Sequence, residues 1–247
     1  MIPRTIHYCW FGGRPLPNKV KQNIESWKKQ CPNYEIIQWN ESNYDINANK
    51  YTLQAYERGK YAFVSDYARL DILQKHGGIY LDTDVELIKP LDSFLSFDAF
   101  FAMEEAGAVA TGLGFGAIKN SHILKNLKKQ YDGQSFFDKH KENLKTCIEY
   151  SAPIFKDLGI SDEDKTQYFD QSRLAVFATE VFCPQSLETG KITITDKTVS
   201  IHHYDSSWKK HPRFSKYTTK YKIKIRKTID YLLGNGTYDK LKNKLKH

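Results

Sequence analysis

The chain opens on residues that favour strand, Arg4-Thr5-Ile6-His7-Tyr8-Cys9-Trp10, and Phe11-Gly12-Gly13 closes that run as a turn. The apolar period then changes. Between Pro17 and Gln30, Val20, Ile24 and Trp27 recur at helical spacing. Pro32-Asn33 marks a turn, and Tyr34 to Trp39 reads as a second strand. Strand, helix and strand within the first 40 residues predict the opening of a parallel α/β sheet. Two helices follow, Tyr51 to Arg58 and Ala62 to Lys75, the second with Phe63, Tyr67, Leu70 and Leu73 along one face. His76-Gly77-Gly78 breaks that helix. Ile79-Tyr80-Leu81 is then a short buried strand ending on Asp82-Thr83-Asp84.

Further on, Phe97 to Met103 and Phe115 to Ile118 read as strands, and Gly107 to Gly116, with four glycines, as a flexible loop between them. Helices are expected at Ser121 to Tyr131, with Ser121 as cap, and at Lys139 to Tyr150. From Ala175 the pattern predicts short strands: Ala175 to Phe177, Val181-Phe182, Ile192 to Thr195 and Val199 to His203. The end of the chain alternates Lys with Tyr and Ile from Phe214 to Leu233 and closes in a basic helix, Tyr238 to Lys246.

Charge divides the chain. Of 37 Lys/Arg and 29 Asp/Glu, residues 209–247 hold 13 and 2, which leaves 24 and 27 for residues 1–208. A mildly acidic body, 1–208, therefore precedes a strongly basic extension, 209–247. The extension is open to three readings: a solvated helix face, a surface for anionic membrane over 214–247, or a nucleic-acid contact. Interleaved Lys with Ile, Tyr and Leu favours the membrane, and no motif beyond charge supports nucleic acid. Aromatics make up 14% of residues, and a large aromatic core explains them before ring-stacking sites do. Cys9, Cys31, Cys147 and Cys183 show no zinc spacing and read as reduced thiols of a cytoplasmic protein. The N-terminus carries no signal-peptide pattern, and no apolar stretch reaches the ~20 residues of a membrane span.

Asp82 and Asp84 carry the strongest chemical signal. A buried strand that closes on two carboxylates needs a cation to neutralise them, and a hard divalent ion sharing phosphate oxygens meets that need. Asp66 and Arg69, three apart on the preceding helix, share a face, and the guanidinium suits a carboxylate cluster or a phosphate. His7 reads as structural. Glu104 and Glu105 either face the site or form a surface pair.

The run Ser65-Asp66-Tyr67-Ala68-Arg69 through Gly77-Gly78-Ile79-Tyr80-Leu81-Asp82-Thr83-Asp84 resembles the core signature of DxD-containing sugar transferases of the GT-A type, and is most similar to glycosyltransferase family 32. Ile6 to Gly13 resembles the family's first strand, and His202-His203-Tyr204-Asp205-Ser206-Ser207-Trp208 its closing motif. The resemblance implies an α/β, Rossmann-like GT-A catalytic domain over 1–208, with a mixed, mainly parallel sheet flanked by helices. It implies retaining transfer of a sugar from a nucleotide-sugar donor, UDP-linked, to a glycan or polyprenyl-diphosphate-linked acceptor, as in capsule synthesis, by a peripheral enzyme on the inner face of the cytoplasmic membrane.

The same resemblance implies roles. Trp10 stacks on the base, with Gly12 beside it in the nucleotide site. Asp66 and Arg69 hold the donor. Asp82 faces ribose and sugar as well as the metal, and Asp84 ligates Mn²⁺ or Mg²⁺. His202 or His203 completes the metal contact, and Ser207 and Trp208 close over the diphosphate. The family's usual Thr-Gly-Pro turn is replaced by Ser151-Ala152-Pro153, and an asparagine usual in the Gly107 to Gly116 loop is missing. A strand ending in Asp-x-Asp is also similar to haloacid dehalogenase-type phosphatases, with Asp82 as nucleophile and Asp84 as acid/base. A basic lipid- or nucleic-acid-binding module is the non-enzymatic alternative, and it leaves the aspartates unexplained.

Overall fold

β1 (Thr5–Cys9), α1 (Asn18–Gln30) and β2 (Glu35–Trp39) form where the hydrophobic pattern predicts, and β1 pairs with β2 in parallel. The structure, a computed structural model, describes residues 1–204 except Lys139, Ser172 and Glu188. Ser207, Trp208 and the basic extension lie outside the described residues. After α2 (Lys50–Glu57) and α3 (Tyr61–His76), Gly77 and Gly78 adopt φ values of +72° and +105° and turn the chain into β3 (Gly78–Tyr80). A Cβ at Gly78 would collide with the Thr5 carbonyl and the His7 ring. Glycine there lets β3 lie against β1.

β4 (Val85–Leu87), β5 (Ala99–Glu105), β6 (Ala108–Ala110), β7 (Phe115–Ala117) and α4 (His122–Lys129) follow. Then come β8 (Phe137–Asp138), β9 (Lys141–Glu142), α5 (Cys147–Asp157), β10 (Gln167–Phe169), β11 (Leu174–Phe177), α6 (Thr179–Phe182) and β12 (Ser200–His202). The main sheet has eight strands in the order β10-β11-β5-β7-β3-β1-β2, with β6 added on β5. β1, β2, β3, β5 and β11 run one way, while β6, β7 and β10 run the other. The sheet is therefore mixed and mainly parallel, as expected.

Alternation along the strands feeds two cores, one on each face of the sheet. Phe101 and Met103 of β5, Val176 of β11 and Phe115 of β7 pack with α2, α3, α4 and α5. Phe100, Ala102, Ala175 and Phe177 face the opposite way, onto α1, α6 and Phe94. Most of the largest fully buried side chains are aromatic, among them Trp27, Tyr51, Tyr80, Phe100 and Phe155. The high aromatic content is thus largely core. Among the described residues no helix is long and apolar enough to cross a membrane.

Six local expectations are corrected. Lys139 to Tyr150 is not one helix: β8 and β9 pair as a hairpin, with His140 at φ +67°. The helix begins later, at a capping box in which Thr146 Oγ1 accepts from Glu149 N and the Glu149 carboxylate accepts from Thr146 N. Ser151-Ala152-Pro153 consequently lies inside α5 rather than in a turn, and Ser151 Oγ donates to the Val109 carbonyl. The Gly107 to Gly116 loop contains β6, antiparallel to β5. Val181-Phe182 belongs to α6, whose first residue, Thr179, is held by the Asp164 carboxylate. Ile192 makes a single bridge to Gln185 in place of a strand. Ser121 precedes α4 but makes no side-chain cap bond.

His7 is buried, and its ring spans β1, β2 and the β3 turn. Trp39 Nε1 donates to Nδ1 at 3.0 Å, so Nε2 carries the proton and donates to the Gly77 carbonyl at 3.0 Å. Burial, aided by His76, lowers its pKa from the ordinary 6.5 to about 4. The unfolded chain therefore binds a proton here near pH 6.5, which the folded chain refuses until about pH 4. Stability from this site is complete above pH 6.5 and falls as the pH drops toward 4, by about 3 kcal/mol. His7→Gln retains a donor for Gly77 and removes the titration. Denaturant titrations at pH 7 and 4.5 should show the wild type losing clearly more stability than His7→Gln. Equal losses would remove His7 as the cause.

Candidate active site

Parallel strands gather their C-terminal ends on one edge of the sheet, the edge at which open α/β sheets bind ligands. β1 there gives way to Trp10 and Gly12, β3 to Asp82 and Asp84, and β5 ends on Glu104 and Glu105. Because β7 runs antiparallel, Thr111 and Gly112 approach the same edge from its N-terminal side. Asp82 N bonds the Gly112 carbonyl at 3.0 Å. A Cβ on Gly112 would overlap the Asp82 carboxylate, so glycine is what admits that side chain.

Arg69 is the centre of the site. Its side chain, 4% exposed, reaches Asp66 at 3.0 Å and Asp82 at 3.1 Å through Nη2. Nε donates to the Ser65 carbonyl, Nη1 reaches Thr111 Oγ1, and the guanidinium lies 5.0 Å from the Tyr80 ring centre. Tyr80 OH donates to Asp82 Oδ1 at 3.1 Å. Burial works against the guanidinium's charge, but Asp82 and Asp66 outweigh it and raise the pKa further. Burial pushes Asp66 up to about 6 against the pull of Arg69, with the charge of Asp82 adding to the rise. Burial raises Asp82 also, opposed by Arg69 and reinforced by Asp84. The site is short of positive charge.

β12 supplies the last member. It pairs antiparallel with β4, with His202 opposite Val85, and so brings a residue distant in sequence onto the Asp82–Asp84 turn. His202 Nε2 lies 3.1 Å from Asp84 Oδ1. Burial disfavours a charged imidazole there, but Asp84 overcomes it and raises the pKa. Among the described residues, Asp82, Asp84 and His202 form a group whose ligand atoms all lie within 4.8 Å of one another. His202 Nδ1 is buried and has no hydrogen-bond partner among the described residues. Two carboxylates, an imidazole and a deficit of positive charge fit a divalent cation such as Mn²⁺ or Mg²⁺.

Not every expected residue joins this group. His203, one residue on, pairs its Nε2 with Glu86 at 2.9 Å instead, as alternation along a strand requires. His202 is therefore the histidine brought to the two aspartates. Trp10 is partly exposed past the end of β1, and its indole N–H donates to the Arg14 carbonyl at 2.6 Å. Gly12, at φ +94°, donates its N–H to Glu41 and lies under the Tyr61 ring. The Asp71 carboxylate, buried between Lys75 and Lys128, is structural. Tyr80, Thr111 and Gly112 also belong to the site, though their motif context does not single them out. A tyrosine two residues before the first Asp was the one available signal, since a strand residue at i−2 shares its face.

Comparison with known proteins agrees with this geometry. Residues 17–101 match the family described as glycosyltransferase sugar-binding region containing DXD motif. An uncharacterised glycosyltransferase of Acanthamoeba polyphaga mimivirus is 27% identical over 243 residues, covering 91% of this chain and 92% of the relative. Mannosyl phosphorylinositol ceramide synthase of Saccharomyces cerevisiae is 29% identical over 63% of this chain and 41% of its own length. Inositol phosphoceramide mannosyltransferase 3 of Schizosaccharomyces pombe is 32% identical over 46% and 33%. The chain thus spans less than half the length of these two yeast relatives. Among solved structures, the PaToxG glycosyltransferase superposes with a TM-score of 0.50 at 18% identity, over 64% of this chain and 70% of that one. The chain is a glycosyltransferase, similar to the DXD-containing family 32 enzymes and built on the GT-A fold.

Proposed function

We propose that the enzyme is a metal-dependent, retaining hexosyltransferase that uses a UDP-sugar and delivers the sugar to a glycan or polyprenyl-diphosphate-linked acceptor, as in capsular or exopolysaccharide synthesis. The convergence of Asp82, Asp84 and His202 beside the buried Arg69 carries this reading. Asp84 and His202 would hold Mn²⁺ or Mg²⁺, with Asp82 in its shell. A bound cation supplies neutralisation of the charge that develops on the departing diphosphate. Arg69 adds fixed positive charge, and Asp66 and Asp82 accept from sugar and ribose hydroxyls. Trp10 stacks on the base above Gly12. A phosphatase would need Asp82 free to attack, whereas its carboxylate is engaged by Arg69 and Tyr80.

The names of the yeast relatives, which describe mannosyl transfer to inositol phosphoceramide, support an acceptor carried on a lipid. They also favour a second donor reading, a GDP-linked mannose. The basic extension 209–247, with 13 Lys/Arg against 2 Asp/Glu, supports a peripheral site of action on the inner face of the cytoplasmic membrane.

Asp84→Asn should abolish transfer and metal-dependent UDP binding in calorimetry; undiminished turnover would sink the reading. A donor-hydrolysis screen of UDP- and GDP-sugars, each with Mn²⁺ and with Mg²⁺, should give turnover with a UDP-sugar, strongest with Mn²⁺. Turnover confined to GDP-mannose would select the second donor. Removing residues 214–247 should spare transfer to a soluble acceptor and weaken sedimentation with anionic vesicles. Unchanged sedimentation would reject the membrane role.

A further inference from the structure

Helix α1 buries Val20, Ile24 and Trp27, yet the same buried face carries an asparagine, Asn23, only 5% exposed. A buried amide is costly unless it is hydrogen-bonded, and asparagine is a poor helix former. Its Nδ2 donates to the Thr83 carbonyl at 2.8 Å. Thr83 is the residue between the two aspartates. Asp82 O accepts from Val85 N at 3.0 Å, so residues 82–85 form a β-turn whose middle peptide joins Thr83 to Asp84. The direction of the Thr83 carbonyl therefore sets the backbone from which the Asp84 side chain departs.

Two neighbours on α1 grip the chain farther along. Trp27 Nε1 donates to the Val85 carbonyl at 2.8 Å, and Ser26 Oγ accepts from Leu87 N at 3.0 Å. Of these three, only Asn23 bonds the middle peptide of the turn. We propose that Asn23 is a positioning residue of the transferase: its amide holds the middle peptide of the Asp82–Val85 turn in one orientation, and so sets the spacing of Asp82, Asp84 and His202 for a divalent cation. The role rests on the metal reading above and acts through backbone, with no contact between Asn23 and donor.

The test is Mn²⁺ titration followed by electron paramagnetic resonance of free Mn²⁺, with and without UDP, on the whole chain. Asn23→Leu removes the donor at similar volume. Asn23→Ser leaves a polar gap that folds more readily, with a hydroxyl too short to reach Thr83. Ser26→Ala is the control, because it removes a bond to the same segment outside the turn. Both Asn23 variants should bind Mn²⁺ roughly ten- to a hundredfold more weakly, the usual effect of losing a residue that orients metal ligands. Ser26→Ala should stay within about twofold of wild type. Retention of wild-type affinity by Asn23→Ser overturns the proposal while leaving the metal site intact. Equal losses in Asn23→Ser and Ser26→Ala overturn it too, because the effect would then be general destabilisation. If the wild type itself takes up no Mn²⁺ with or without UDP, the metal reading falls along with it.

Discussion

One buried guanidinium organises the candidate active site. Arg69 is nearly inaccessible, and it is held by Asp66 from its own helix and by Asp82 from the end of β3. Removing one partner from a buried pair of this kind costs about 3–5 kcal/mol, because the other charge is stranded. The surroundings are shaped to prevent that. Thr111 and the Ser65 carbonyl take two further donors, Tyr80 offers its ring and its hydroxyl, and Gly112 leaves space for the Asp82 carboxylate. The packing of α3 against β3, the approach of β7 and the choice of glycine at 112 all follow from keeping this charge paired.

The pairing is incomplete in a useful way. Asp66, Asp82 and Asp84 face one arginine, and burial pushes Asp66 and Asp82 toward their neutral forms. His202 is drawn toward its charged form by Asp84. Such a cluster is poised to accept a further cation, and binding it relieves repulsion among groups already desolvated. The cost of burying the carboxylates is met by the fold in advance, so under the proposed metal-dependent reading the site would need little rearrangement on binding.

Support for the Asp82–Val85 turn comes from outside the strand that carries it. α1 grips it from one side through Asn23 and Trp27, and β12 from the other through the His203 N–H to the Asp84 carbonyl. Trp27 is fully buried, so this grip is continuous with one of the two hydrophobic cores. Loops at the binding edge gain their precision from such rigid neighbours.

Much of this was legible in the chain itself. Strand-forming composition bounded by turns located β1, β2 and β3, and apolar spacing near 3.6 located α1, α2 and α3, because these signals lie within each segment. The Asp82-Thr83-Asp84 run, Asp66 and Arg69 were likewise visible, since their spacing along a helix and a strand end is local. Short elements were lost where local signals compete. The hairpin β8–β9 and the single turn α6 are decided by pairing and by the Asp164 cap rather than by periodicity. Only the tertiary structure could choose His202 over His203, since two adjacent histidines have the same chemistry and strand register alone decides which one faces Asp84. It alone brought Thr111 and Gly112 to Arg69 and Asp82, and Asn23 to Thr83. Those contacts span tens of residues and depend on which strands lie side by side, an order that no stretch of sequence carries locally.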